Sequence, residues 1–436
     1  MNIDTVAVYS TADKDSLHVK LATKAVCIGP AKASQSYLNM NSILTAALDN
    51  HCDAIHPGFG FLSENSDFAR LCEENNIKFI GPKADVIDAM GNKAMAKTMM
   101  RKGNVPVVPG SDGALKDYDE AKEIADRIGY PVLLKASAGG GGRGMRRAYS
   151  EEELKKAYDE AKAEARACFG NDEMYIEKLI VNPRHIEFQI LADEMGNVVH
   201  LGERDCSIQR KNQKLIEESP CMLLSEELRD KMGTAAVNAA KASGYTNAGT
   251  VEFVLDGDNN FYFIEMNTRI QVEHGVTEMV TGIDLIKEQI RIAFHEPLGF
   301  EQEDIKLKGH AMECRINAED PAKGFMPNSG KITFLNLPGG PGVRVDTMLY
   351  NGYETSPFYD SMMAKIIVHA PTRLEMIRKM RRALMEISTE GITTTSDFEY
   401  LILFHPDFIK GKYNVGFIEE HMDEILSWDA FGEGNE

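Results

Sequence analysis

The feature that most constrains the fold is a pair of glutamates inside two apolar runs of the chain. The runs Gly249–Leu255 and Phe261–Met266 flank the polar stretch 256–260, a pattern that predicts a β-hairpin. Glu252 and Glu265 each have apolar neighbours on both sides. A carboxylate inside an apolar strand is costly unless a cation or hydrogen bonds compensate it. We therefore expect a compensated acidic centre; the alternative is that both glutamates face solvent from a half-exposed sheet.

The same hairpin predicts a metal site. Because side chains alternate along a strand, Glu265 and Asn267 share one face, and Glu252 on the neighbouring strand can join them. Two carboxylates and an amide oxygen are hard ligands, suited to a Mg²⁺ ion that also holds nucleotide phosphates.

A glycine-rich stretch is a second candidate for phosphate binding. Ala138–Gly144 follows a predicted strand that ends at Lys135. Glycines let backbone N–H groups approach phosphate oxygens closely, and a lysine adds a point charge for them. The stretch matches neither a Walker loop nor a dinucleotide fingerprint, because no Gly-Lys-Ser/Thr follows and the next element is predicted to be a strand. A flexible hairpin is the alternative interpretation.

The polar segment 267–274 is a candidate anion site. Arg269, Gln271 and the backbone of Val272 would form a small pocket in which a planar guanidinium matches a planar oxyanion. Glu273 could serve beside it as a general base. An ordinary polar loop explains the segment taken alone, but its position directly after a metal-binding strand favours the anion site.

Two further segments carry weaker signals. Glu203–Lys214 holds basic residues placed for phosphate and anion contacts, although a solvated charged loop explains its composition nearly as well. Glu177–Ile180 ends an apolar run, where backbone groups could read an adenine edge. From spacing alone, a plain strand terminus is the better interpretation of that segment.

The pattern of short runs also predicts the domain organisation. Alternating β-rich and helical runs between Thr5 and Gly81 predict an open parallel α/β sheet, with strands at Val6–Tyr9, Ala54–Ile55 and Lys78–Ile80. Beyond Gly309 the pattern changes to short predicted strands with many glycines and prolines. We therefore expect a domain boundary near Pro297–Gly309.

The composition argues against several classes of protein. The 67 acidic residues outnumber the 48 basic ones and give a net charge of -19, which disfavours a nucleic-acid binder. The seven cysteines form no Cys-x-x-Cys pair, so we expect reduced thiols and a cytoplasmic protein. No apolar run approaches the length that spans a bilayer.

Taken together and in this order, these stretches resemble biotin carboxylase, an enzyme of the ATP-grasp type. The segments that look like family signatures are His56–Asn65, Ala138–Gly144, Glu203–Ser207 and Phe263–His274, of which the last is the most specific. The resemblance runs from Val6 through the C-terminal region. It implies an α/β fold with three parts: an N-terminal open parallel α/β domain (1–91), an ATP-grasp domain (92–308) with a mobile lid at about 108–180, and a C-terminal α+β domain (309–436).

The resemblance implies an ATP- and Mg²⁺-dependent reaction, with Mn²⁺ able to substitute. ATP and bicarbonate would form carboxyphosphate, whose CO₂ is delivered to N1 of biotin on a biotin carboxyl carrier protein. This is the first half-reaction of acetyl-CoA carboxylase, which serves fatty acid biosynthesis, or of a related acyl-CoA or pyruvate carboxylase. Carboxyltransferase subunits and a homodimer are also implied. Two alternatives remain: a catalytically weak subunit retained for assembly, and an ATP-grasp ligase for another carboxylate.

The resemblance also implies a role for individual positions. Those of the nucleotide site are Lys93, Lys135, Gly141, Gly142, Glu177, Lys178, Ile180, His185, Gln209, Glu252 and Glu265. The metal ligands would be Glu252, Glu265 and Asn267, and the residues that bind bicarbonate would be Lys214, Arg269, Gln271 and Val272. Glu273 would deprotonate bicarbonate, and Arg315 would stabilise the biotin enolate.

The sequence departs from the family pattern at several positions. The usual opening strand and its Asn-Arg-Gly-Glu turn are absent before Thr5, which we expect to leave apolar surface uncovered. Phe59 stands where a tyrosine is common, and Asn212 stands where a histidine is usual. Ala138 and Gly275 replace a glycine and a proline, with smaller expected consequences.

Overall fold

A computed structural model describes residues 1–136, 145–169 and 172–428 of the chain. The predicted glycine-rich loop, with Gly141 and Gly142, lies outside the described residues. The first elements in chain order are β1 (Val6–Ser10), α1 (Leu17–Leu21), β2 (Lys24–Gly29), α2 (Met40–Asp49), β3 (Ala54–Ile55), α3 (Ser66–Glu74), β4 (Lys78–Phe79) and α4 (Ala84–Gly91).

The strands of the N-terminal part are parallel, as the sequence predicts, but they form two separate pairs and not one open sheet. Strand β1 pairs with β2, and β3 pairs with β4, in both cases in parallel. Helices α2 and α3 begin where asparagine side chains cap them: Asn39 accepts from the backbone N–H of Ser42, and Asn65 accepts from that of Phe68. The sequence prediction missed β2.

The middle of the chain is built on a long antiparallel sheet and a smaller one. Its elements are α5 (Lys93–Lys102), α6 (Tyr118–Ile128), β5 (Val132–Ala136), β6 (Met145–Ala148), α7 (Glu151–Phe169), β7 (Met174–Lys178), β8 (Arg184–Ala192), β9 (Val198–Arg210), β10 (Gln213–Ser219), α8 (Glu226–Ser243), β11 (Asn247–Leu255), β12 (Phe261–Asn267), α9 (His274–Thr281) and α10 (Leu285–Ala293).

The last part supplies the remaining strands and helices. They are β13 (His310–Asn317), β14 (Glu319–Asp320), β15 (Met326–Pro327), β16 (Phe334–Asn336), β17 (Val343–Thr347), β18 (Met362–Ala370), α11 (Arg373–Glu386), β19 (Ser388–Glu390), α12 (Ser396–Ile402), α13 (Pro406–Ile409) and α14 (Phe417–Leu426).

One antiparallel sheet joins the middle of the chain to its last part. Its strand order is β12-β11-β8-β9-β10-β13-β18-β17. Helix α8 covers the β8–β12 end with small side chains, among them Ala235, Ala236 and Ala239, which lie in one apolar cluster with Phe188 and Phe253. Helix α11 covers the other end in a second cluster. Because β10 pairs with β13, the sheet continues across the predicted boundary at 309.

The segment predicted as a possible solvated loop is part of this sheet, so that interpretation is wrong. Residues 203–210 belong to β9 and 213–219 to β10, and the side chain of Arg204 is fully buried. The turn between the two strands places Lys211 and Asn212 at positive φ (49° and 66°), as a tight hairpin turn requires. Charged composition misled the prediction because the charges are paired inside the protein.

The smaller sheet, in the order β6-β5-β7, carries α6 and α7 against one apolar cluster. The segment 106–111 connects it to the large sheet. The carbonyl of Pro106 accepts from the N–H of Phe263 in β12 (2.7 Å), and the N–H of Ser111 donates to the carbonyl of Ile176 in β7 (2.8 Å). Gly110 lies between these contacts, opposite Glu177.

We expect Gly110→Ala to weaken this connection, because an added Cβ would lie 2.3 Å from the carbonyl oxygen of Ile176. Overpacking of this kind costs about 1–3 kcal/mol. Thermal melting should show a lower Tm than the wild type. The matched control is Gly113→Ala, whose Cβ would meet nothing within 4 Å. Equal Tm values for the two variants would contradict the prediction.

Candidate active site

Three carboxylates lie in register across three neighbouring strands. Glu252 of β11 is directly opposite Glu187 of β8 and directly opposite Glu265 of β12. Glu187 is fully buried, Glu252 is 6% exposed and Glu265 is half-buried. The alternative in which the hairpin glutamates face bulk solvent is therefore wrong. Like charges opposite each other on a sheet repel, so this row needs cations or protons.

Lys214 of β10 supplies the main compensation. Its Nζ donates to Glu187 Oε2 (2.6 Å), to Glu252 Oε1 (3.3 Å) and to Glu273 Oε1 (2.5 Å). Arg204 binds Glu187 from the other side, through Nε and Oε1 (2.5 Å). One lysine thus joins the carboxylate row to the predicted general base.

Glu252 is held ionised within this network. Burial disfavours its charge, but Lys214 and His185 hold the pKa of Glu252 well below its usual range. His185 Nε2 lies 2.9 Å from Glu252 Oε2. The side-chain amides of Asn267 and Gln271 donate to Glu252 Oε1, at 2.8 and 3.1 Å. These contacts bring predicted nucleotide, metal and bicarbonate residues into one cluster.

Glu265 differs from the other two carboxylates. Among the described residues, its carboxylate has no ion-pair or hydrogen-bond partner, and burial, with the neighbouring charge of Glu252, raises its pKa. It lines a cavity of about 210 Å³ together with Lys93, Asn267 and Glu64. A half-buried carboxylate that faces a cavity without a partner is the part of the row that could bind an added cation.

The predicted anion seat is formed around Arg269. Its guanidinium donates to Glu64 Oε2 (2.9 Å), to Gln271 Oε1 (3.0 Å) and to Asn267 Oδ1 (3.0 Å). The carbonyl of Val272 accepts from Lys365 Nζ (2.6 Å). The guanidinium is therefore fixed beside the carboxylate row by Glu64, which is remote in sequence, and by two side chains of its own segment.

Glu273, the predicted base, is fully buried at the start of α9. Its Oε1 accepts from Lys214, and its Oε2 accepts from Arg315 Nη2 (2.8 Å). Burial opposes ionisation, but Lys214, Arg315 and Arg204 hold the pKa of Glu273 well below its usual range. The carboxylate is thus ionised at neutral pH and lies between two cations.

A second cluster lies on the smaller sheet. Lys135 of β5 donates to Glu177 Oε2 of β7 (2.6 Å), and Lys97 of α5 binds the other oxygen of Glu177. Burial and the nearby charge of Lys135 lower the pKa of Lys97 to about 8. The structure therefore brings Lys135 and Glu177 together, as predicted for nucleotide-site residues, and adds Lys97 to them.

Three other predicted nucleotide residues lie apart from direct contact with this cluster. Lys178 Nζ donates to the carbonyls of Gly129 (3.0 Å) and Tyr130 (2.9 Å), at the end of α6. Ile180 follows β7 and is half-buried, and Gln209 is buried in β9 opposite Lys214.

Sequence reasoning missed Glu187, Glu64 and Lys97. Glu187 lies between Ile186 and Phe188, which is the same signal that identified Glu252 and could have found it. Glu64 and Lys97 carry no such local pattern, since their partners Arg269 and Glu177 are remote in sequence.

Comparisons with known proteins show the family to which the chain is similar. Models of the biotin carboxylase N-terminal and C-terminal domains match residues 1–87 and 313–420, and a model of the carbamoyl-phosphate synthase L chain, ATP binding domain, matches residues 92–300. Biotin carboxylase 1 of Bacillus subtilis is 55% identical over 422 residues, which cover 97% of this chain and 94% of that protein. The chain belongs to the biotin carboxylase family.

Solved structures of biotin carboxylases share the fold over nearly the whole chain. The biotin carboxylase domain dimer of 2-oxoglutarate carboxylase from Hydrogenobacter thermophilus, in complex with MgADP, ADP and bicarbonate, has a TM-score of 0.89 at 52% identity, covering 98% of this chain and 94% of that chain. A biotin carboxylase–β,γ-ATP complex from Campylobacter jejuni has a TM-score of 0.89 at 51% identity, covering 95% of this chain and 93% of that chain. As a biotin carboxylase family member, the chain is an ATP-dependent ligase.

Two of the positions that depart from the biotin carboxylase pattern are exposed, and a third is buried. Phe59 is 40% exposed, and Asn212 is exposed in the β9–β10 turn at a φ that asparagine tolerates. Gly275 is buried in the first turn of α9, where a built Cβ would lie 2.3 Å from Ile367 Cδ1.

We expect Lys214→Met to destabilise the protein, because Glu187, Glu252 and Glu273 would lose their shared cation. Breaking a buried ion pair costs about 3–5 kcal/mol. Lys214 helps to hold the pKa values of Glu252 and Glu273 low, so both pKa values should rise in the variant, and the loss of Tm should be larger at pH 8 than at pH 6. The matched control is Lys231→Met, which removes only an exposed pair with Glu227 on α8. If Lys214→Met and the wild type had the same Tm at pH 8, the carboxylate row would have to be compensated in another way.

Proposed function

We propose that this protein carboxylates biotin on a carrier protein, using bicarbonate and ATP with Mg²⁺ through carboxyphosphate. The observation that carries the proposal is the continuity of one charge network. At one end Glu265 faces a cavity without a partner among the described residues, and at the other end Lys214 joins the row to Glu273 and Arg315. A cation site and an anion seat are thus neighbours, as a reaction between two anions requires.

The residues fit a divalent cation. Glu265 is the available carboxylate, and Asn267 Oδ1, which accepts one hydrogen bond from Arg269, has a second lone pair. Glu252 would complete the set if its contact with Asn267 or His185 were released. When bound, Mg²⁺ or Mn²⁺ would neutralise the charge of nucleotide phosphates and orient them.

The chain's own residues would then handle bicarbonate. Arg269, Gln271 and the backbone of Val272 would orient the anion, with Lys214 neutralising its charge. Glu273 is ionised and buried, so it is in the form that can accept the bicarbonate proton. Arg315, which contacts Glu273, would stabilise the negative charge that develops on the biotin ureido oxygen.

We propose that the nucleotide lies between the smaller sheet and the large one. Lys93 lines the cavity beside Glu265, and its charge adds to the effect of burial in lowering the pKa of Lys135, so we propose that Lys93 reaches both clusters. Binding would exchange the contact of Lys135 with Glu177 for a phosphate contact. The division into 1–91, 92–308 with a lid at about 108–180, and 309–436 remains part of this proposal.

The carboxylase to which this chain contributes is a further proposal. Relatives include a component of the pyruvate carboxylase of Methanothermobacter thermautotrophicus and the small subunit of the 2-oxoglutarate carboxylase of Hydrogenobacter thermophilus, each 53% identical to this chain. We propose acetyl-CoA carboxylase, with a role in fatty acid biosynthesis, or a related acyl-CoA or pyruvate system. We also propose a homodimer with carrier and carboxyltransferase partners.

We propose a cytoplasmic location. Six cysteines are free thiols, which suits a reducing compartment: Cys27, Cys52, Cys72, Cys206, Cys221 and Cys314. Within the described residues, no helix combines the length and the apolar character that crossing a membrane requires.

The function is tested by measuring ADP formation with ATP and Mg²⁺, with and without bicarbonate and free biotin. We expect ADP release that depends on bicarbonate and increases with biotin. Absence of any such activity would favour the role in assembly, and activity with a different carboxylate would favour another ATP-grasp ligase.

We expect Glu265→Gln to abolish ATP turnover while leaving the fold intact. The amide is a weak metal ligand, and its neutrality relieves repulsion with Glu252, so Tm should stay the same or rise. The control is Glu227→Gln, an exposed position on α8. Wild-type rates for the Glu265 variant at saturating Mg²⁺ would show that the metal assignment is wrong.

We expect Arg315→Ala to lower biotin carboxylation by more than it lowers nucleotide binding. Loss of one oxyanion-stabilising donor typically costs about 10²–10³ in kcat. Nucleotide affinity is measured separately by calorimetry, with Arg382→Ala on the exposed face of α11 as control. Equal losses in both quantities would contradict the assigned role.

A further inference from the structure

Two buried carboxyl groups lie next to Arg315 and have no role in the reaction described above. Glu217 of β10 and Glu313 of β13 are directly opposite each other, and both are fully buried. Among the described residues, Glu217 Oε2 and both oxygens of Glu313 lack a hydrogen-bond partner. The nearest cation to Glu313 is Lys365, with Nζ 3.9 Å from Oε2. Two ionised carboxylates in such positions would repel strongly.

The surroundings of the pair decide which member is charged. Burial raises the pKa of Glu313 to about 8, so this group is mostly protonated at pH 7. Burial also raises the pKa of Glu217, to about 7, with Arg315 opposing the increase. The contact with Arg315 therefore favours Glu217 as the anion, and neutral Glu313 removes the repulsion between them.

Glu217 holds one edge of Arg315. Arg315 Nε donates to Glu217 Oε1 (2.7 Å), and Nη2 lies 2.5 Å from the same oxygen. Nη2 also donates to Glu273 Oε2. Among the described residues, Nη1 has no acceptor. A guanidinium fixed along one edge keeps its remaining amino group in one orientation.

We propose that Glu217 is a positioning residue for biotin carboxylation, which holds Arg315 by its Nε–Nη2 edge so that Nη1 can bind the developing oxyanion of the substrate. Glu313 assists as the neutral neighbour that lets Glu217 stay charged. The inference rests on the role proposed for Arg315. It adds that the orientation of Arg315 depends on a carboxylate that itself does not touch substrate.

The test is a double-mutant cycle with Glu217→Gln, Arg315→Ala and the double variant, measured as kcat/KM for free biotin. We expect Glu217→Gln to lower kcat/KM by roughly ten- to hundredfold, the scale of effect for a misplaced group. KM for ATP should stay within about twofold. In the Arg315→Ala background the Glu217 substitution should have no further effect beyond about twofold, because residues that act as a unit are not additive. Glu319→Gln, another buried carboxyl, is the control and should behave as wild type.

Two results would overturn the proposal. One is an equal loss from Glu217→Gln in the wild-type and Arg315→Ala backgrounds, and the other is unchanged kcat/KM in Glu217→Gln. Crystal structures of the wild type and of Glu217→Gln give a readout that needs no activity: Arg315 should lose its Nε contact and turn in the variant, and an identical Arg315 in both would also reject the proposal. If the proposed function itself is wrong, the wild-type protein will show no biotin-stimulated ADP release. That result distinguishes failure of the proposed function from failure of this inference.

Discussion

Repulsion among three carboxylates is the constraint on which the rest of the structure depends. Glu187, Glu252 and Glu265 face one another across β8, β11 and β12, where like charges are destabilising unless they are compensated. The protein compensates them unevenly. Lys214 and Arg204 neutralise the Glu187 end, while no described cation pairs with Glu265. Glu187, the closed end of the row, is paired with Lys214 and Arg204. Glu265, the open end, has no such partner among the described residues and can receive an added cation.

The large sheet explains why the anion chemistry lies beside this row. Lys214 comes from β10, and β10 pairs with β13, which carries Arg315. Both cations reach Glu273 from the same sheet, although the predicted boundary at 309 separates them in sequence. Lys365 of β18 extends the arrangement by holding the carbonyl of Val272. The proposed anion seat would thus be built jointly by the middle and last parts of the chain.

The sequence predicted those features of the structure that follow from the alternation of side chains along a single strand. The hairpin of β11 and β12, and the convergence of Glu252, Glu265 and Asn267, follow from the two-residue period of a strand, and both are confirmed. The burial of 203–209 could not be predicted in this way. Arg204 is buried because it pairs with Glu187, which lies directly opposite it on the neighbouring strand β8. Composition does not show that two segments remote in sequence pair in this way. Glu64 and Lys97 were missed for the same reason.

The central claim, that the open end of the row binds a divalent cation beside the anion seat, is tested most directly by crystals grown with Mn²⁺ and ADP. An anomalous difference map recorded at the manganese edge locates the ion without assumptions about its ligands. The account predicts a peak within coordination distance, about 2–2.3 Å, of Glu265 and of an oxygen of Glu252 or Asn267. A peak at another site, or bound ADP with no peak near Glu265, would contradict it.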